Sequence, residues 1–303
     1  MELTRIRSFV VLAERLHFGE TSRLLNLSQP ALSKQIRQLE EEIGAPLLER
    51  GRHGAKLTEV GRIFAEEARS LVKQADAALE QGRRAARGEI GKLSIGFGFS
   101  TVTLVPRVIS EFRKLHPSVE VELRDMSTAN QLEALRRGRI DVGFARLPIG
   151  GKLRRRLVLE DQLVLAFPSS MKVSDFPQDL SSLKDAPFIM MPRSRSPDMY
   201  DRVMRVCAKY GFSPHVAQEA NEFPTILALI AAGLGVALLP QSQLRTRIES
   251  LEIQSIPDKV ARWQVGAVWS KGSGSPLIRD FIELVTKELR CVPTPPRLEA
   301  GAR

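Results

Sequence analysis

The sequence predicts a chain in three parts: a small helical block closed by a short hairpin, one long helix, and a larger α/β region of two subdomains. Three observations carry this. Apolar residues recur three or four apart through the first 43 residues and again between 59 and 87. From Lys92 short β-type runs alternate with helical ones. At 303 residues the chain is also too long for one average domain and long enough to bury sizeable cores.

Taking the elements in order, Leu3, Ile6, Phe9, Val10, Ala13 and Leu16 form one apolar face of a first helix over residues 3 to 17. A second short helix is predicted from Gly19 to Leu25, where Thr21 and Ser22 are small enough for another helix to approach, and Asn26-Leu27 make a tight connection. Ser28 can accept a first-turn N–H, and Pro30 sits in that same turn, where its missing donor would have had no intrahelical partner. Proline is therefore a start signal for a third helix, whose buried face is Leu32, Ile36, Leu39 and Ile43.

Ser28, Gln29, Pro30, Ser33, Lys34 and Arg37 cluster near the front of that third helix, and Glu40, Glu41 and Glu42 follow towards its far end. Amides, hydroxyls and cations at the leading end of the second helix of a helix-turn-helix are the groups that reach base edges and phosphates in a major groove. The stretch APLLERGRHGAKLTEVG then reads as a hairpin, with Arg50, Arg52, His53 and Lys56 around the turn and Leu47, Leu48 and Leu57 returning to the core. A basic wing of this kind grips phosphates and adds affinity without sequence information.

Thr58 can cap a long helix running to about Arg87, with Gly88 beyond it and Arg83, Arg84 and Arg87 in or near its last turns, where cations suit the helix dipole. Phe64, Ala68, Leu71, Ala75, Ala78 and Gly82 form a seam at alternating spacings of four and three. Such a seam calls for a partner helix in a dimer, which would place two reading heads on a dyad-symmetric site; the alternative is a helix packed on its own domain.

In the larger part, KLSIGFGF, LVPRVISEFRKLH, VEVELRDM, NQLEALRRG and IDVGFAR give a βαβαβ series and so a parallel sheet. Further strands are predicted at LVLEDQLVLAF, FIMM, HVAQEA, GVALLP and WQVGAVW, with helices near Pro197 to Lys209, through TILALIAAG, and from about Pro276 to Leu289. Crossing strands near Leu159 to Phe167 and Trp263 to Trp269 would join two subdomains. Ligands of open α/β sheets sit beyond the strand ends, near helix N-termini. Ser100 and Thr101 follow the first strand there, and Ser127 and Thr128 follow the second. Each hydroxyl also reads as a helix cap. Arg146 ends the third strand, able to hold a carboxylate or to pair with Glu222 or another acid.

The net charge of +10 does not by itself indicate nucleic acid, because residues 1–91 hold 15 Lys+Arg against 13 Asp+Glu and most of the excess lies further on. Four of those later cations come from KLRRR at 152 to 156, read as a solvated loop or subunit contact. Cys207 and Cys291 are far apart with no histidine nearby, which predicts inert thiols, no metal site and a reducing compartment. No run of about 18 apolar residues occurs, and charges stand where a signal peptide would be apolar, so no membrane association and a cytoplasmic location are expected.

The stretch LSQPALSKQIRQLEEEIGAPLLER, its basic turn and LTEVG resemble the LysR-type transcriptional regulators, and the rest of the chain fits that family in length and order. Thr21-Ser22 depart from its usual pair of alanines, but both are small. The resemblance implies a winged helix-turn-helix domain over 1–58 and a dimerising linker helix over 59–88. It implies a periplasmic-binding-protein-like effector domain over 92–291, with subdomain I about 92–161 and 267–291 and subdomain II about 162–266. It further implies promoter DNA and RNA polymerase as partners, a homodimer assembling to a homotetramer, and no cofactor. The end of the chain, CVPTPPRLEAGAR, is rich in proline and poor in apolar residues, and a disordered tail is expected at 292–303.

Within the family the chain looks most like regulators of aromatic-compound catabolism that sense benzoate- or muconate-like carboxylates. Ser100, Thr128, Arg146 and Pro197 match positions around that branch's effector site, Met199 stands where an aromatic is often found, and Asp198 adds an acid. The expected effector residues are Phe99, Ser100, Thr101, Thr128, Arg146, Pro197, Met199 and Phe223, and the expected role is activation of a catabolic operon.

An enzyme is disfavoured, since GFGFS lacks the third glycine of a dinucleotide loop, no Walker sequence occurs, and His17, His53, His116 and His215 have no ligand spacing. A periplasmic solute-binding protein would need an export signal and no winged helix, and an architectural DNA-binding protein would have no use for the α/β half.

Overall fold

The computed structural model describes residues 2–51, 54–171, 180–244 and 250–291, and the chain divides into two compact units, Met1–Arg87 and Gly88–Arg303. The predicted tail at 292–303 lies outside the described residues.

In the first unit α1 (Leu3–Arg15), α2 (Phe18–Leu24) and α3 (Gln29–Ile43) enclose a core in which Ile6, Phe9, Leu12, Leu32, Ile36 and Leu39 are fully buried. The Ser28 hydroxyl accepts from the Ala31 N–H at 3.3 Å, with Pro30 in the first turn. Asn26 takes φ 54°, the left-handed turn that links α2 to α3. Thr21 and Ser22 are buried as their size allows, although the Thr21 hydroxyl has no hydrogen-bond partner among the described residues.

The hairpin of β1 (Leu48–Gly51) and β2 (Gly54–Leu57) pairs Leu48 with Leu57. It docks on the end of α1 through the Ala55 N–H, which donates to the Leu16 carbonyl at 2.8 Å. Two of the late acids on α3 are used internally: a Glu40 carboxylate oxygen accepts from the Leu47 and Leu48 amides at 2.8 and 3.2 Å, and Glu42 pairs with Arg5 at 2.6 Å.

The long helix α4 (Glu59–Ala86) starts at Thr58, whose hydroxyl accepts from the Gly61 N–H and donates to the Pro46 carbonyl. Gly61 is required there, because a Cβ would lie 2.0 Å from the Leu47 carbonyl oxygen. The front of α4 belongs to its own unit. Ala65 and Ala68 are buried, Phe64 meets Phe9 at 5.4 Å between ring centroids, and Arg7 forms a bidentate pair with Asp76. From Leu71 onwards the helix is largely exposed, Leu79 at 54%.

The second unit is built on β3 (Gly91–Phe97), flanked in parallel by β4 (Val119–Asp125) and β5 (Val142–Arg146), with α5 (Leu104–Leu115) and α6 (Thr128–Arg136) as the crossovers. Two long antiparallel strands carry the chain onward. One is β6 (Leu153–Pro168); the other is β11 (Arg262–Ser270), which lies between β5 and β6. The far half of β6 pairs with β9 (Ala237–Pro240) and β10 (Leu251–Ser255). Beside it stand β7 (Pro187–Met190) and β8 (His215–Glu219), α7 (Pro197–Lys209) and α8 (Phe223–Ala231), while α9 (Pro276–Cys291) packs against α5.

Two details correct the sequence reading. Leu153 to Arg156 are strand rather than loop, since β11 holds their backbone in register from Ser270 opposite Leu153, although the Arg154, Arg155 and Arg156 side chains are exposed. The strand β10 was absent from the predicted elements because LEIQS is short and mixed in polarity.

Candidate functional site

The first candidate surface lies on α3. Burial of Leu32, Ile36 and Leu39 turns the opposite face outward, so Ser28, Gln29, Pro30, Lys34 and Arg37 are exposed and Ser33 is half-buried. Gln29, Pro30 and Ser33 line one groove with His17 and Phe18 from the start of α2 and with Gly51 and Gly54 of the hairpin. Lys34 and Arg37 make no ion pair among the described residues, which leaves their charge available to an anion. Arg50 lies in β1 opposite Ala55, whereas Arg52 and His53 lie outside the described residues. A helix N-terminus carrying an amide, a hydroxyl and two cations beside a hairpin has the donor set and shape for a DNA groove.

The second candidate is a cavity of about 250 Å³ beyond the ends of β3, β4 and β5. Its walls include Phe99, Ser100, Thr101, Ser127, Thr128, Arg146 and Phe223, so the structure brings six of the eight expected effector residues together. Pro197 and Met199 do not line it. The α7 helix begins at Pro197, and its apolar face of Met199, Val203, Val206 and Cys207 turns into the core, leaving Met199 only 3% exposed. Ser196, just before the helix, lines the cavity instead.

Hydroxyl roles separate once the geometry is known. Ser127 caps α6 by accepting from the Asn130 N–H at 3.3 Å, and the Thr101 hydroxyl donates to the Gly98 carbonyl within its own turn. Ser100 donates to Asp161 at 2.7 Å. Thr128 accepts from the Arg146 N–H at 3.2 Å, which ties the start of α6 to the end of β5.

The Arg146 guanidinium is well buried, with its side chain 11% exposed. It lies 5.6 Å from the centre of the Phe99 ring, and Phe99 in turn meets Phe223 edge-on at 5.4 Å. One nitrogen donates to Asp198 at 2.8 Å, while Nη1 is buried without a hydrogen-bond partner among the described residues. Glu222, the acid first considered for Arg146, pairs with Arg195. Burial holds the Arg146 guanidinium below its ordinary range, with Asp198 opposing that shift.

Several residues of this site were not singled out from the sequence. Asp161 and Gln162 interrupt the apolar strand LVLEDQLVLAF, and that interruption was the signal for them. The Asp161 carboxylate accepts from Ser100, from the Ser242 hydroxyl and amide, and from the Gln162 amide. The Gln162 side chain bonds Gln241, and Gln243 donates to the Phe99 carbonyl. Gln131 is 1% exposed on the cavity wall, in space that Gly96 and Gly143 leave free, which gives the glycines of GFGF and DVGF a packing role. No group of three or more His, Cys, Asp or Glu is placed to hold a metal ion among the described residues, and no helix there is long and apolar enough to cross a membrane.

Comparison with known proteins identifies the domains in which the two candidate sites lie. Residues 3–62 match the model for the bacterial regulatory helix-turn-helix protein, lysR family, and residues 86–290 match the LysR substrate binding domain. The chain is 35% identical over 291 residues to the HTH-type transcriptional regulator AlsR of Bacillus subtilis, covering 94% of this chain and 95% of that protein. It is 36% identical over 290 residues to the HTH-type transcriptional regulator CatR of Pseudomonas putida, covering 95% and 99%. The crystal structure of full-length CbnR complexed with its target DNA superposes with a TM-score of 0.69 at 26% identity, covering 95% of this chain and all of that one. The α3 surface and the Arg146 cavity thus sit in the two domains that define one group of proteins: this chain belongs to the LysR family, a DNA-binding transcriptional regulator with a substrate-binding domain and not an enzyme.

Proposed function

We propose that the protein is a cytoplasmic activator of a catabolic operon whose inducer is a small carboxylate, an aromatic acid or a muconate-like acid, held in the cavity beside Arg146. The observation that carries the ligand class is the Arg146 guanidinium, buried against the Phe99 ring with Nη1 unpaired among the described residues. A planar carboxylate meets a guanidinium in a bidentate fork, and the Phe99 and Phe223 rings supply an apolar wall for an aromatic or conjugated body. The volume of about 250 Å³ suits a ligand of that size. Phe99, Ser100, Thr101, Thr128, Arg146 and Phe223 are the proposed effector residues. Ser28, Gln29, Pro30, Ser33, Lys34 and Arg37, with Arg50, Arg52 and His53 of the wing, are the proposed DNA contacts.

The exposed far half of α4, with Leu71, Ala78, Leu79 and Gly82, supports a helix-paired dimer, which in turn assembles to a tetramer. Ligand would then shift the reading heads and the contact with RNA polymerase, provided it binds one quaternary state better than another. Footprinting and in vitro transcription on the DNA upstream of the gene, with benzoate and muconate titrated separately, test this. One of the two is expected to change both the footprint and the transcript level. An unchanged footprint and transcript at saturation with each would reject the proposed inducer class.

A further inference from the structure

The cavity does not end at Arg146. Thr128 and Arg146 also line an adjoining groove whose other wall is α7, with Asp198, Asp201, Arg202 and Arg205. The charges there do not balance. Asp198 is paired with Arg146, and Asp201 is held by Arg193 through two hydrogen bonds of 2.9 and 3.2 Å. Arg205 forms no ion pair among the described residues, and its Nε donates to the Asp201 carbonyl in its own helix. Arg202 stacks 4.9 Å from the centre of the Trp263 ring and donates through Nη1 to the Val260 and Arg262 carbonyls, while its Nε is buried with no partner among the described residues.

Arg202 and Arg205 thus both line this groove with no acidic partner among the described residues. Like charges brought together in a partly desolvated place raise one another's energy unless an anion joins them. The effect is visible at Arg202, which burial first, and then Arg146 and Arg205, push down to about 10.

We infer that Arg202 and Arg205, in the groove that continues past Arg146, form an anion subsite adjoining the effector cavity, which takes a second acidic group of carboxylate or phosphate type. Its natural occupant is the distal acid of a dianionic inducer, an assignment that rests on the effector reading above. An independent inorganic anion has the same chemistry and would occupy the same groove. The Arg202 guanidinium is preset by Trp263 and two carbonyls, so little ordering is needed when the anion arrives.

The test is a set of titrations of the full-length protein, read by calorimetry and by tryptophan fluorescence, with muconate, benzoate and inorganic phosphate. Arg205 is exposed, so Arg205→Ala leaves the core intact, and Arg205→Lys retains the charge. The expected result is muconate binding weakened about three- to tenfold in Arg205→Ala and partly restored in Arg205→Lys, with benzoate unaffected. If phosphate instead strengthens benzoate binding in the parent protein and not in Arg205→Ala, the subsite stands with an independent anion as its occupant. Muconate, benzoate and phosphate all indifferent to Arg205→Ala would overturn it. If neither acid binds, the inducer class fails separately and phosphate alone decides: a fluorescence response lost in Arg205→Ala keeps the subsite, and no such difference removes it.

Discussion

The Ser100 hydroxyl donates to the Asp161 carboxylate at 2.7 Å, so its one proton is committed to a group outside the cavity and toward a ligand it can only accept. Asp161 also receives Ser242 from the turn after β9, which makes it a polar clasp between the two ends of the long strand region. Burial holds its carboxyl above the ordinary carboxylate range, and the bonds from Ser100, Ser242 and Gln162 pull the other way. The folded state therefore binds this proton more tightly than the unfolded chain. Its contribution to stability falls as pH rises from the ordinary carboxylate value through the raised one, and is level beyond. Asp161→Asn removes that slope. Melting curves of parent and variant between about pH 4 and 7 should diverge in the window of the raised carboxyl, and parallel curves would show that Asp161 titrates normally.

On the DNA side, Gln29 and Lys34 should separate sequence reading from phosphate binding. Gln29→Ala is expected to relax base preference by about 1 to 3 kcal/mol at one position. Lys34→Ala is expected to weaken specific and random DNA alike and to lower the salt slope by about one. Equal losses on both DNAs for Gln29→Ala, measured over a salt series, would reassign it to the backbone.

Thr128 joins the start of α6 to Arg146 through the 3.2 Å bond to the Arg146 amide. Thr128→Val keeps the shape and removes the acceptor, so induction should be lost while DNA binding without inducer persists. Thr128→Ser should respond as the parent does. A normal inducer response from the valine variant would take Thr128 out of the ligand site.

Two glycines of α4 give opposite expectations. At Gly61 a methyl group would stand 2.0 Å from the Leu47 carbonyl oxygen, and Gly61→Ala should cost about 2 kcal/mol or more in denaturant melts. At Gly82 nothing among the described residues lies within 4 Å of an added methyl group, and Gly82→Ala should stabilise the helix by about 1 kcal/mol. A loss at Gly82 would mean that a second chain approaches closely there.

Much of the local structure was legible because it depends on neighbours in sequence. Ser28 and Pro30 mark the start of α3 by the chemistry of a helix N-terminus, and the spacing of Leu32, Ile36 and Leu39 sets its buried face. The α7 helix was expected near Pro197 to Lys209 and occupies those bounds. Met199 shows the limit of transferring a position by resemblance, because the helical period that predicts α7 also turns Met199 into the core.

The sequence by itself determined the helices, the reading head and the alternating α/β texture, since periodicity, caps and turn residues act within a few positions of the chain. Only the tertiary structure decided which polar groups meet. Asp161 finds Ser100 and Ser242 at separations of 61 and 81 residues, Arg146 finds Asp198 rather than Glu222, and three arginines converge on one groove. Such partnerships follow from strand order and crossover direction, which bring distant segments together with no trace in local spacing.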